Sequence, residues 1–243
     1  MSSDKKDSFE VKKENLTKKI CGEIILSDKP NKTIKKWRNI FEISQRDLAD
    51  QMDIMPSVIS DYESGRRKSP GIKMIRKIVS GLIEIDEKRG GNVLMGFSNL
   101  PSNSSLSKSL LDIREFSVPV KIKDFCEKTG IDVVSGKEMI DKEIYGYSII
   151  DSLKAIVELS PQDMVKLYGL TSQRALIFTR VSTGRSPMVA IKVTNLKPSL
   201  VAFHGLNKVD ELAKRIADVE RIPVGICRKN TSKEIISTLK KNF

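Results

Sequence analysis

The densest chemistry in the chain is a basic run, Arg66, Arg67, Lys68, Lys73, Arg76 and Lys77, with no acid among them. Clustered guanidinium and ammonium groups bind phosphates through charge-assisted hydrogen bonds and displace counterions as they do so. The 243-residue chain carries a formal net charge of +12, which favours a polyanionic partner without identifying one. That excess is spread out: residues 1–91 hold 20 basic and 15 acidic side chains, and residues 92–243 hold 23 and 16. The run stands out by its position more than by its charge.

A second polar set, Arg174, Thr179, Arg185, Ser186 and His204, falls at or near the ends of predicted strands. Ligand sites in α/β domains favour strand ends, and two arginines there point to a small anionic effector. Catalytic chemistry finds no such support. The chain has no Walker-type loop, GxGxxG, GxSxG or HExxH, so no enzyme is expected. One histidine and three scattered cysteines, Cys21, Cys126 and Cys227, without CxxC spacing imply neither metal nor cofactor. The cysteines read as inert thiols of a reducing cytosol. No apolar run approaches the roughly 20 residues that span a membrane. The Lys-rich N-terminus lacks a signal-peptide core, so a cytoplasmic protein with no membrane partner is expected.

The elements that must carry the basic run lie just before it. Ser44 is a good N-cap with Asp47 three residues on, and Leu48, Ala49 and Met52 form an apolar face at helical spacing. Asp53-Ile54-Met55 makes a turn, Pro56 restarts a helix, Ile59 and Tyr62 face inward, and Gly65 ends it. Two helices of about eight residues with a short turn have the proportions of a helix-turn-helix. Upstream, Ile34 to Phe41 supplies a further helix with Trp37 and Phe41 as core. Downstream, Ile72, Ile75, Ile78, Val79, Leu82 and Ile83 make a continuous apolar stripe.

With its Ile43-Ser44-Gln45 opening, Leu48-Ala49 pair and Glu63-Ser64-Gly65 exit followed by basic residues, the stretch at about 34–83 resembles the Cro/cI-type (XRE, phage-repressor-like) helix-turn-helix domain. The resemblance implies an ion pair between Arg38 and Glu63, and a turn glycine where this chain has Asp53, a residue that tolerates left-handed backbone. It also implies that the second helix enters the major groove. Pro56, Ser57, Val58, Ser60 and Asp61 are then the candidates for base contact. Gln45, Arg46, Arg66, Arg67 and Lys68 are the candidates for phosphates. No Arg, Asn or Gln stands among the base-contact set, so direct readout should be modest and DNA shape should contribute.

The whole chain is similar to predicted two-domain archaeal regulators. That resemblance implies a homodimeric, sequence-specific transcriptional regulator of double-stranded DNA, whose C-terminal domain dimerises, senses a small ligand, or both. Alternatives are a bridging coactivator, like the multiprotein-bridging factors that share this helix-turn-helix type, and an RNA-binding protein.

The rest of the chain sets the architecture. Phe9 to Leu26 reads as an extra helix that either packs on the head or serves a dimer. The stretch from Ser98 to Ser105 has linker composition. Beyond it come a helix at Val120–Lys128, strands near Ile131–Val134 and Tyr147–Ile150, and a short helix from Ser160. Ala175–Val181 and Met188–Thr194 read as strands of a hairpin through Thr183–Pro187. Leu200–Phe203 and Pro223–Cys227 are strands, with a helix between them capped by Asn207 and Asp210 and a last helix from Ser232. The expected fold is α+β: an all-α helix-turn-helix domain over 1–96, a linker at 97–114, and an α/β domain with a mixed sheet over 115–243.

Overall fold

The computed structural model describes residues 3–98, 109–194 and 196–243; of residues 3–8, 96–98, 161 and 162 the backbone alone is described. From residue 99 onward the Ser98–Ser105 stretch lies outside the described residues. The chain divides into two compact units, Met1–Leu100 and Pro101–Phe243.

The first unit is all helical: α1 (Ser3–Leu26), α2 (Pro30–Ile40), α3 (Gln45–Gln51), α4 (Pro56–Ser64), α5 (Ile72–Lys88) and α6 (Asn92–Ser98). Apolar residues at helical spacing meet in one core, with Leu16, Ile20, Ile34, Trp37, Leu48, Ile59, Ile78 and Leu82 all fully buried. The extra helix α1 packs on α2 and α5. Leu16, Ile20 and Ile24 recur every fourth residue on its inner face, and its Glu23 carboxylate accepts the Trp37 indole N–H at 2.9 Å. The same carboxylate pairs with Lys36 at 2.5 Å, so a charged group faces the core only where it is answered.

The second unit is a six-stranded sheet in the order β1-β3-β4-β5-β6-β2. Its strands are β1 (Leu110–Lys121), β2 (Ile131–Ser135), β3 (Glu143–Asp151), β4 (Ala175–Thr179), β5 (Leu200–His204) and β6 (Val224–Cys227). The central strands β3 to β6 run parallel, and β1 and β2 close the two edges antiparallel. Helices α8 (Ser152–Glu158), α9 (Pro161–Met164), α10 (Arg185–Val193) and α11 (Glu211–Glu220) lie in the three parallel crossovers. Leu176, Phe178, Val201 and Phe203 face them, in one core with Ala155, Met188, Ile191, Ala213 and Ile216. The alternate residues Ala175, Ile177, Leu200 and Ala202 face α7 (Ile122–Thr129) and α12 (Ser232–Asn242) through Phe125, Ile235 and Leu239. All three crossovers therefore lie on one face, as expected when consecutive parallel strands add on one side with a single hand.

Two expectations are corrected. Residues 183–194 form no hairpin: Gly184, in a left-handed conformation at φ 86°, is the N-cap of α10. A Cβ at Gly184 would stand 2.8 Å from the Phe203 ring, so any other residue would be strained and would have to displace that ring. Met188 and Ile191 are buried while Val189 and Val193 are exposed, a helical rather than an alternating pattern. The β-branched composition of 188–194 yields to the geometry of a parallel β4–β5 crossover. Strand β1 also begins at Leu110, inside the range read as linker. Its Pro119 masks it as a strand in the sequence, yet β1 is an edge strand whose register shifts between Glu115 and Val120, where proline is tolerated.

Candidate nucleic-acid interface

The helix-turn-helix is α3, its turn and α4. Ser44 caps α3 by accepting the Asp47 N–H at 3.0 Å. The cap hydroxyl, and then Arg89 at 3.2 Å, hold the Asp47 carboxyl below its ordinary range. At the other end Asp53 takes a left-handed φ of 52°. Its N–H bonds the Asp50 carbonyl, and Ile54 N–H bonds the Ala49 carbonyl, a paired closure that satisfies the last carbonyls of α3. The turn thus keeps a glycine-like backbone on an aspartate.

The pose of α4 is fixed by a buried clamp. Arg38 of α2 donates through Nε and Nη2 to the two carboxylate oxygens of Glu63 at 2.6 and 2.8 Å, and through Nη1 to the Ile43 carbonyl at 2.7 Å. Glu63 Oε2 also accepts the Gln45 amide at 2.8 Å. One carboxylate therefore ties α2, α3 and α4 together. Gln45, read from the sequence as a phosphate ligand, has its amide donor engaged in this clamp. Gly65 ends α4 at φ 81°, against the Asn31 side chain.

The outer side of α4 leaves its first turn open: Met55, Pro56 and Ser57 are exposed, while Val58 and Ser60 are half-buried. Asp61 is not an open acceptor. Its carboxylate pairs with Arg66 Nε at 2.6 Å and lies 3.7 Å from Arg67 Nε, and the Arg67 guanidinium sits 5.7 Å from the centre of the Tyr62 ring. The acid that interrupts the charge of α4 thus gathers the arginines that follow it. Arg46 is almost fully exposed, with Asp50 3.9 Å away, and Lys68, Lys73, Arg76 and Lys77 are exposed. The structure places these cations on α3, on the exit from α4, and on the first turns of α5. Met55, outside the expected contact set, is exposed beside Pro56 and Ser57 as the N-cap of α4.

The strand-end set does not form one pocket. Arg174 is fully buried and pairs with Glu115 at 2.7 Å; it donates further to the carbonyls of Tyr147, Arg114 and Tyr168. Its work is to join β1, β3 and the start of β4. Thr179 is buried and donates to the Ile150 carbonyl at 3.1 Å, bridging β3 and β4. Arg185 pairs with Asp210 at 2.7 Å, and His204 Nε2 meets the Lys229 carbonyl at 3.0 Å. Of the five, Ser186 borders an apolar cavity beside α10, which the other four described residues do not line. Among the described residues no cluster of His, Cys, Asp and Glu could hold a metal, and no helix is long and apolar enough to cross a membrane.

Comparison with known proteins follows this division of the chain. The family model described as Helix-turn-helix matches residues 34–83, which run from α2 into α5. An uncharacterized HTH-type transcriptional regulator of Archaeoglobus fulgidus is 48% identical over 233 residues, covering 94% of this chain and 98% of that protein. A second uncharacterized HTH-type transcriptional regulator, from Methanocaldococcus jannaschii, is 42% identical over 233 residues, covering 95% and 96%. No solved structure matches the chain. Likeness at this identity over nearly the full length, with the turn and the clamp in place, establishes that the chain belongs to the family of HTH-type transcriptional regulators found in these two archaea.

Proposed function

We propose that the protein is a homodimeric regulator that binds specific duplex sites through α4, with the C-terminal unit serving as dimerisation and effector domain. The observation that carries this reading is the pairing of an open first turn on α4 with an exposed basic exit at Arg66, Arg67 and Lys68. In this reading Pro56, Ser57 and Val58 approach base edges, with Ser60 beside them. Arg46, Arg66, Arg67 and Lys68 hold phosphates, and the N-terminus of α5 adds its free N–H groups. Serine hydroxyls and a valine methyl discriminate weakly, so groove shape carries much of the specificity. Two copies on a pseudo-palindrome would set their α4 helices one DNA turn, about 34 Å, apart.

The test is selection of bound duplexes from a random pool with full-length protein at two salt concentrations. The reading expects a palindromic motif that survives the higher salt. Recovery of unrelated sequences that vanish with salt would overturn it, leaving a basic surface for RNA or for the transcription machinery.

A further inference from the structure

The helical layer on the crossover face of the C-terminal sheet is made of its shortest pieces over β3 and β4. A parallel sheet requires apolar cover on both faces. The β3–β4 connection, residues 152–174, supplies only α8 and α9, of 7 and 4 residues, and a 3-10 turn at Val165–Tyr168. Between these and α10 lies a cavity of about 480 Å³, bordered by Phe178 of β4. Ala155 and Ile156 of α8, Tyr168 of the 3-10 turn, and Ala190 and Val193 of α10 make its walls. The short side chains at 155 and 190, on two different helices, leave the space that larger residues would fill.

The lining is informative in its chemistry. Among the described residues none of those lining it carries a charge. The Tyr168 hydroxyl donates to the Leu196 carbonyl at 2.9 Å, and Thr194 donates to the Ile191 carbonyl at 2.8 Å. These groups are engaged within the fold, and Ser152 and Ser186 supply the other hydroxyls of the lining. Burial pushes the Tyr168 phenol up to about 12, so it stays a neutral donor to the Leu196 carbonyl. Small-molecule sites have volumes of about 300–1,000 Å³ and mostly apolar walls with a few polar groups, and this cavity matches both marks.

We propose that this cavity, and not a pocket formed by Arg174, Thr179, Arg185 and His204, is the effector site of the C-terminal unit, and that it takes an uncharged, largely apolar small molecule met by the hydroxyls of Ser152 and Ser186. Its regulatory meaning rests on the sensor reading above, whereas the binding itself does not. A random-pool selection without a motif would sink the regulator reading and leave the site standing. Loss of the site would leave the DNA reading intact.

The experiment titrates full-length protein with the neutral fluorophore N-phenyl-1-naphthylamine and with its sulfonated relative 1-anilinonaphthalene-8-sulfonate. Saturable binding of one neutral probe per chain is expected, about tenfold or more tighter than the sulfonate. Ala190→Phe should weaken the neutral probe by at least about tenfold. Should that variant lose its circular dichroism, Ile156→Glu, at a 62% exposed wall position, should give the same loss on a folded chain. Val219→Glu, on α11 outside the cavity, should change nothing. Preference for the sulfonate, absence of saturation, or equal loss in Val219→Glu would overturn the proposal. So would a probe capacity that falls as protein concentration rises, since a second copy of the chain would then occupy the cavity.

Discussion

The clamp that poses α4 offers the sharpest test of how this head domain is held. The Arg38 and Glu63 side chains are only 11% and 3% exposed, and the guanidinium engages both carboxylate oxygens at 2.6 and 2.8 Å. Arg38→Ala removes three donors at once and leaves the buried Glu63 carboxylate with the Gln45 amide. Breaking a buried pair from one side costs about 3–5 kcal/mol, because the remaining charge stays desolvated and uncompensated. A domain of this size is stable by about 5–15 kcal/mol in all, so the loss is a large share. The assay is urea unfolding of the full chain followed by tryptophan fluorescence. Trp37 is the sole tryptophan, fully buried beside the clamp, so the signal reports the helical unit alone. With a slope near the middle of the usual range, the midpoint should fall by ~2 M. The double variant Arg38→Met, Glu63→Leu should recover most of the loss, since neither charge is then buried. A loss below about 1 kcal/mol for Arg38→Ala, or a double variant no better than the single, would refute the reasoning.

Arg67→Ala should weaken binding to random and selected DNA alike and flatten the salt slope by about 0.9, whereas Ser57→Ala should alter site preference at constant slope; filter binding across a salt series separates them. Asp61→Asn releases Arg66 and Arg67 from their carboxylate, so affinity for random DNA should rise by a few-fold and the salt slope should steepen; an unchanged slope would show that the pair does not restrain the arginines. Asp53→Gly removes a side chain from a left-handed position and should stabilise the helical unit by up to about 1 kcal/mol in the same tryptophan assay. Ser44→Ala removes the α3 cap, at a cost of about 1 kcal/mol, and should move the Asp47 titration up towards its ordinary value. Because the fold depresses that carboxyl, its contribution is present above the unfolded value near pH 3.9 and is lost as pH falls through the folded one. Carboxyl NMR titration of the two proteins checks both the direction and the sign.

The head was legible because its signals are local. The Ser44 cap, the Asp53 turn and the Gly65 exit each act within a few residues, and the Arg38–Glu63 pair follows from a known resemblance. The second unit was legible in its central strands, where runs such as Ala175–Phe178 are apolar throughout because both faces are buried. It was not legible where tertiary demands override composition. Met188 to Val193 is rich in residues that favour strands, yet it must cross between two parallel neighbours and therefore coils. Arg174 looked like a ligand because nothing local announces Glu115, its partner 59 positions away.

That the strand-end set forms no common pocket has a topological cause. Strand ends bind ligands in open α/β sheets where adjacent connections diverge to opposite faces and open a crevice between them. Here β3, β4, β5 and β6 are spatial neighbours in chain order, and their connecting segments all pack into one core. The three crossovers show no such divergence; it arises only where β6 leads into α12 on the opposite face, and there His204 at the end of β5 meets the Lys229 carbonyl, while Thr179 bonds the Ile150 carbonyl. What this topology produces instead is a row of helices on one face, and its weak point is the crossover made of the shortest pieces. A cavity between that crossover and the next follows from the strand order, and its apolar lining comes from the helices that pack on that face of the sheet. The same logic makes Ala190 informative: it sits on the helix that the sequence reads as a strand, so its small size carries meaning only once the crossover is known.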